Sequence, residues 1–277
     1  MSHTKTTQQH RILRLSASDA KLEEVDDTIA VEAPIHIVMN GIQYSTIMCS
    51  PERREELVTG HLLSEGIVDC FEQIADLRMT NNTCEVTIRS DLDLQARLGL
   101  TAHYSRIVTS GCGTTIPPPF AKLLDRLTPL KVDNESMLGP SAIQSAAGEL
   151  NQRASIYRST GGVHAACISA ENAGIIDLAE DVGRHNAVDK VIGSCARQGY
   201  SFEDKFLVST GRLSGDMVLK AARVKIPVIA SISSVLSTGI DVANRTGVTV
   251  IGFVRGRRMN VYTHPERIQM PTDGDGK

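Results

Sequence analysis

Lys205-Phe206-Leu207-Val208-Ser209-Thr210-Gly211-Arg212-Leu213-Ser214 carries the decision about the fold. A short apolar run ends in a turn rich in hydroxyls and glycine. The turn opens onto a helical pattern from Ser214 to Val224. The alternation continues downstream: Pro227 to Ile232 reads as a strand, Gly239 to Thr246 as a helix, and Val248 to Val254 as the final strand. Upstream, Val163 to Ser169 and Gly174 to Ala179 read as strands joined by Glu171-Asn172-Ala173, and Arg184 to Gln198 as a helix. The later strands are apolar throughout, as in sheets covered on both faces. Strand–helix alternation implies parallel pairing with right-handed crossovers. The expected class is α/β.

The first part of the chain reads differently. Residues 1–28 are polar apart from a short apolar run at Ile12-Leu13 and Leu15, and are expected to be loosely held. Ile35 to Met39 and Ile42 to Met48 read as strands around Asn40-Gly41, a strong hairpin signal. Ser50-Pro51-Glu52 is the expected start of a helix, with His61 on its apolar stripe and Gly66 at its end. Asn81-Asn82 marks a turn, and the alternation around Cys84, Val86 and Ile88 reads as a half-buried strand. These elements make a smaller α+β region. The break comes at Ser110-Gly111-Cys112-Gly113-Thr114-Thr115 and the prolines that follow, Pro117 to Pro119. The domains are accordingly drawn as 1–115 and 116–277. Helices are expected at Phe120 to Leu127 and Ser141 to about Arg153, and disorder after Pro271.

The whole chain of 277 residues is 41% hydrophobic and 22% charged, an ordinary soluble globular composition. Its net charge of −3 and lack of tryptophan argue against a general nucleic-acid binder. No run is long and apolar enough for a membrane span, and no signal-peptide core opens the chain, so a cytoplasmic protein is expected. The six cysteines show neither a disulfide-scaffold spacing nor the close pairs of a zinc site. Cys112 differs from the rest. Glycines on both sides release the backbone from regular structure and leave the thiol accessible to a partner. A buried cysteine beside glycines remains the alternative.

Three strand-end turns carry the remaining chemistry. Glu180-Asp181-Val182-Gly183-Arg184-His185-Asn186 puts an arginine and a titratable histidine between a strand and a helix, where open α/β sheets bind ligands. Asp181 paired with Arg184 in a capping turn is the bland reading. Ser209 to Ser214 offers Arg212 and backbone N–H groups, without the Gly-Lys-Ser/Thr of a nucleotide-binding loop. Phe253-Val254-Arg255-Gly256-Arg257-Arg258 crowds arginines where a polyanion could lie, with a ring to pack. His164 follows Gly161-Gly162 at a strand start, and His264 precedes Pro265, a position that favours extended backbone. One crevice for a large phosphate-bearing molecule is the common implication.

Together, Ser110 to Gly113, Gly161 to Ala166, Glu180 to Lys190 and Tyr262 to Arg267 resemble the FdhD family, the formate dehydrogenase accessory sulfurtransferases. The resemblance runs from about Val31 to Ile268. It implies a C-terminal cytidine-deaminase-like three-layer α/β/α domain without zinc chemistry, and the zinc deaminase signature is absent from the sequence. It implies that Cys112 accepts sulfur from a cysteine desulfurase as a persulfide. That sulfur would pass to the molybdenum of the bis-molybdopterin guanine dinucleotide cofactor, which formate dehydrogenase needs. Phe253 to Arg258 match the family's cofactor-binding stretch, and Arg212, His164, Arg184 and His185 join them as candidates. Homodimers and binding of the cofactor's guanine nucleotide parts are also implied. Many members carry a second loop cysteine where this chain has Thr115. A single sulfur carrier does not need it, and a neighbouring thiol could displace the terminal sulfur. The alternative is a cofactor-binding chaperone without sulfur transfer. A thiol hydrolase using Cys112 with His164 or His185 is a third reading.

Overall fold

The computed structural model describes residues 5–18, 21–94, 97, 132 and 137–269. Cys112, Thr115, the expected helix at Phe120 to Leu127, the boundary at 115/116 and the tail lie outside the described residues.

The chain opens with a hairpin, β1 (Thr7–Ser16) and β2 (Lys21–Ala30), paired in continuous antiparallel register. This corrects the expectation of a loosely held start. Polar residues obscured the pairing because this two-stranded sheet has little core to bury, and Leu13, Leu15 and Leu22 stay exposed. A four-stranded sheet follows in the order β4-β3-β6-β5, with β3 (Ala33–Met39), β4 (Ile42–Cys49), β5 (Ile74–Thr80) and β6 (Thr83–Ile88). Asn40 and Gly41 both take positive φ, as the hairpin signal required. Helix α1 (Arg54–Ser64) starts later than Ser50. Ser50 is used elsewhere: its N–H donates to Asp181 Oδ2 at 3.0 Å and its hydroxyl oxygen accepts from Val182 N at 3.2 Å.

Helices α2 (Pro140–Arg153) and α3 (Ser155–Thr160) lead into the main sheet. Its strands are β7 (His164–Ala170), β8 (Gly174–Asp181), β9 (Phe206–Ser209), β10 (Val228–Ser231), β11 (Thr249–Arg255) and β12 (Arg258–Val261), in the order β12-β11-β10-β9-β7-β8. Helices α4 (Arg184–Arg197), α5 (Gly215–Arg223) and α6 (Ser237–Thr246) connect them. Within this sheet, parallel pairing holds only among β9, β10 and β11. β7 enters antiparallel to β9, and β12 folds back on β11. Val248 to Val254 therefore does not end the sheet; the short, exposed strand β12 lacks the apolar run that marks the others. His264 has φ +46 rather than extended backbone. That bend carries Arg267 inward to donate to Val132 O at 2.7 Å and Thr249 Oγ1 at 3.2 Å.

Alternation along the buried strands splits their side chains between two cores. Cys167, Phe206, Val208, Val228, Ala230 and Ile251 pack with Ile143 and Leu150 of α2. Ile168, Leu207, Ile229 and Val250 face α4, α5 and α6 in a cluster that also takes in α1 and the inner face of the four-stranded sheet. Cys84 sits in that cluster, fully buried. The join is made by α1 and α4, which cross at Gly60 and Gly193. A Cβ on Gly193 would overlap the carbonyl oxygen of Glu56 and lie 2.6 Å from Gly60 N.

Candidate functional site

The C-terminal ends of β8, β9, β10 and β11 and the start of β7 lie along one edge of the main sheet, because His164 is paired with Asp181 and Ala166 with Ser209. The three turns singled out in the sequence therefore meet. A fourth joins them: Ser231-Ile232-Ser233-Ser234 after β10. It carries no charge, and its likeness to Ser209-Thr210-Gly211 was the only signal for it. In both turns a serine closes the bend, with Gly211 N donating to Ser209 Oγ at 3.0 Å and Ser233 N to Ser231 Oγ at 2.9 Å. Ser231 Oγ then donates to Gly211 O at 2.7 Å, tying the two together.

His164 opens β7 with Nδ1 3.2 Å from Thr210 Oγ1. Burial, then the nearby Arg184 and Arg212 guanidinium groups, push its pKa down, so the ring is neutral at neutral pH. Arg184 packs its stem against Gly211, where a Cβ would lie 2.8 Å from Arg184 Cβ. Its Nε is buried with no hydrogen-bond partner among the described residues. A buried, unsatisfied cationic donor at a sheet edge is suited to an anion. His185 Nε2 lies 3.2 Å from Asp216 Oδ2, off the line of a good hydrogen bond. Burial lowers the His185 pKa against the pull of Asp216. Ser214 Oγ donates to the other oxygen of Asp216, so the turns before α4 and α5 are linked through this carboxylate.

The arginine stretch is the hairpin turn between β11 and β12. Phe253 takes φ +53 at a bulge, and its N–H donates to Ser233 O at 2.8 Å. Arg255 Cζ sits 5.6 Å from the Phe253 ring centre, and Arg255 Nε donates to Ile232 O at 3.2 Å. Val254 is buried, while Arg257 and Arg258 are exposed. A pocket of about 460 Å³ opens beside them. Gln144, Ala147, Gly148 and Asn151 of α2 and Tyr157 of α3 form one wall; Thr210, Ile232, Ser233, Val254, Arg255 and Gly256 form the other. The α2–α3 wall was missed from sequence, since its amides and tyrosine occur on helices with no chemical pattern.

The run from Glu180 to Lys190 is mainly wiring. Asp181 pairs with buried Lys190 at 2.6 Å rather than with Arg184. It also accepts from Gly183 N at 2.9 Å and Asn186 Nδ2 at 2.8 Å. Asn186 donates again to Met48 O at 2.8 Å, fastening the small sheet to the site. Asp189 binds Lys220 inside the core. Only Arg184 and His185 of this run are left for the turn.

A family model described as "FdhD/NarQ family" matches residues 30–269. The chain belongs to the FdhD/NarQ family. It is 36% identical over 252 residues to the sulfur carrier protein FdhD of Methanothermobacter thermautotrophicus, covering 90% of this chain and 95% of that one. It is 33% identical to the sulfur carrier protein FdhD of Bacillus subtilis, with 90% and 93% coverage. A crystal structure of a protein described as a formate dehydrogenase accessory protein, from Desulfotalea psychrophila, superposes with a TM-score of 0.76 at 27% identity, over 96% of this chain and 100% of that one.

Among the described residues no group of three or more His, Cys, Asp or Glu is arranged to hold a metal ion. No described helix is long and apolar enough to cross a membrane. The five described cysteines are Cys49, Cys70, Cys84, Cys167 and Cys195, of which only Cys70 is exposed. Burial, first among the causes, holds every one of these thiols above its ordinary pKa. A raised pKa leaves less of a thiol in the reactive thiolate form at neutral pH.

Proposed function

We propose that this chain is a sulfur carrier in formate dehydrogenase maturation. The Cys112 thiolate attacks the terminal sulfur of a cysteine desulfurase persulfide. A new S–S bond forms on Cys112, the donor's S–S bond breaks, and the donor cysteine leaves as thiolate. The outer sulfur would then pass to the molybdenum of a bis-molybdopterin guanine dinucleotide cofactor bound as substrate at the sheet edge: the Cys112 S–S bond breaks, Cys112 leaves as thiolate, and the substrate's reduced molybdenum supplies the two electrons that the sulfur takes up. This reading takes the main sheet and its helices as a cytidine-deaminase-like domain, and the protein as a cytoplasmic homodimer.

The observation that carries it is a pocket lined by Thr210, Arg255 and Gly256, with His164 against the Thr210 hydroxyl and Arg184 and Arg212 close to His164, in a chain whose relatives are named sulfur carriers. The residues fit an anionic cargo, because the buried Arg184 Nε has no hydrogen-bond partner among the described residues. The pocket volume falls within the roughly 300–1,000 Å³ of small-molecule sites, room for one nucleoside-sized end of the cofactor. The raised pKa values of the described thiols favour a carrier elsewhere in the chain, and Cys112 is the remaining cysteine.

Incubation with desulfurase and cysteine, followed by mass spectrometry, tests the sulfur step. Wild type and Cys70→Ala are expected to gain a sulfur atom, and Cys112→Ala to gain none. Arg184→Ala and Arg258→Ala are expected to load normally yet activate formate dehydrogenase at least about tenfold less, through lost charge-assisted contacts. Thr115 in place of a second loop cysteine keeps a cofactor chaperone in play. Full maturation by Cys112→Ala would decide for that reading.

A further inference from the structure

Glu180 does something its neighbour Asp181 does not. Adjacent strand residues point to opposite faces. Asp181 turns toward α1 and α4, whereas the Glu180 carboxylate turns toward α3. Its Oε1 accepts from Tyr157 N at 2.6 Å and its Oε2 from Ile156 N at 3.2 Å. Both oxygens are thus spent on the first free N–H groups of a helix of only six residues. No side chain of α3 itself caps that end. The clamp is anchored from behind, since Lys190 Nζ donates to Glu180 O at 3.2 Å while pairing with Asp181.

What the clamp holds is a pocket wall. Tyr157 lines the pocket, and the chain runs from α3 through Gly161-Gly162 directly to His164. Helix α3 has no fully buried residue, and its Tyr157 packs only part-buried against the core on the α2 side. We infer that Glu180 is a positioning residue: by gripping the start of α3 it sets Tyr157 against the pocket and preorganises the site for the nucleotide end of its cargo. The inference rests on the cofactor-binding reading above.

Guanosine diphosphate is the probe, with binding measured by calorimetry on the full chain and sulfur loading of Cys112 measured in parallel. Glu180→Ala is expected to weaken binding on the order of tenfold, as loss of preorganisation does. Loading by the desulfurase should be unchanged. A Gln at this position keeps one acceptor but turns a donor toward Ile156 N, so Glu180→Gln should fall between. The decisive arm is a double-mutant cycle with Tyr157→Ala. If Glu180 acts through Tyr157, Glu180→Ala adds nothing once the tyrosine is gone. Additive losses, equal affinity for wild type and Glu180→Ala, or a parallel fall in sulfur loading would each overturn the inference while leaving the cofactor reading standing. Wild type that fails to bind the nucleotide would overturn both.

Discussion

Gly193→Ala is expected to destabilise the protein by about 3 kcal/mol, the upper part of the range for forcing extra atoms into a packed core. The new methyl would collide with backbone, the Glu56 carbonyl and Gly60 N, and backbone has no rotamer to escape into. Gly60 meets the same difficulty from the other side, against the carbonyl of Asp189. Relief requires α1 and α4 to separate. That would open the core shared by the four-stranded sheet and the main sheet, and would pull at the Asn186–Met48 link. Thermal unfolding should show a fall of roughly 5–10 °C. Gly148→Ala is the control: its Cβ would meet nothing within 4 Å, and alanine gains up to about 1 kcal/mol over glycine within a helix. Equal melting of Gly193→Ala and wild type would show that the helices do not cross so closely.

Lys220→Met is expected to cost about 3–5 kcal/mol near neutral pH, as breaking a buried ion pair does. Lys220 Nζ reaches Asp189 Oδ1 and Oδ2, each at 3.0 Å, Glu65 Oε1 at 2.9 Å and Ser64 Oγ at 2.8 Å. Burial opposes each charge in this group, but the partners win. Asp189 and Glu65 hold Lys220 above its ordinary range, and Lys220 holds both carboxyls below theirs. Depressed carboxyl pKa values add stability above the unfolded values of about 4, and this is lost as pH falls through the folded ones. Without the ammonium, burial raises the Asp189 pKa instead. The penalty then applies above that raised pKa and lifts as the carboxyl is protonated. The gap between wild type and Lys220→Met should therefore be widest near neutrality and should narrow on acidification. Urea unfolding at a series of pH values measures it. A gap that stays constant or widens in acid would contradict this account.

The alternation of apolar strands and helices after Val163 was legible because each element is long enough, or buried enough, to impose its own period. The Asn40-Gly41 turn was legible because few dipeptides tolerate positive φ twice. The first hairpin was not, because polar side chains on an exposed ribbon carry no burial pattern. Nor was the late start of α1: Ser50-Pro51-Glu52 satisfies the local rules for a helix start, yet Ser50 makes its hydrogen bonds across the molecule to Asp181 and Val182.

The candidate site divides in the same way. Arginines in a chain of net negative charge, and histidines beside glycines, stand out wherever they fall. Which of them meet depends on strand direction, and β7 lying antiparallel to β9 is what brings His164 to Thr210. Asp181, Asn186, Asp189 and Lys190 look as reactive on paper as Arg184, and the tertiary structure consumes all four in internal pairs.

Taken alone, the order of residues determined an α/β chain, its strand-end turns, its unusual Cys112 and its family likeness, because period, turn chemistry and motif are local properties. Only the three-dimensional packing decided which polar groups are spent on one another and which remain for a ligand. Hydrogen-bond partners far apart in sequence compete for the same side chains, and nothing local records the winner.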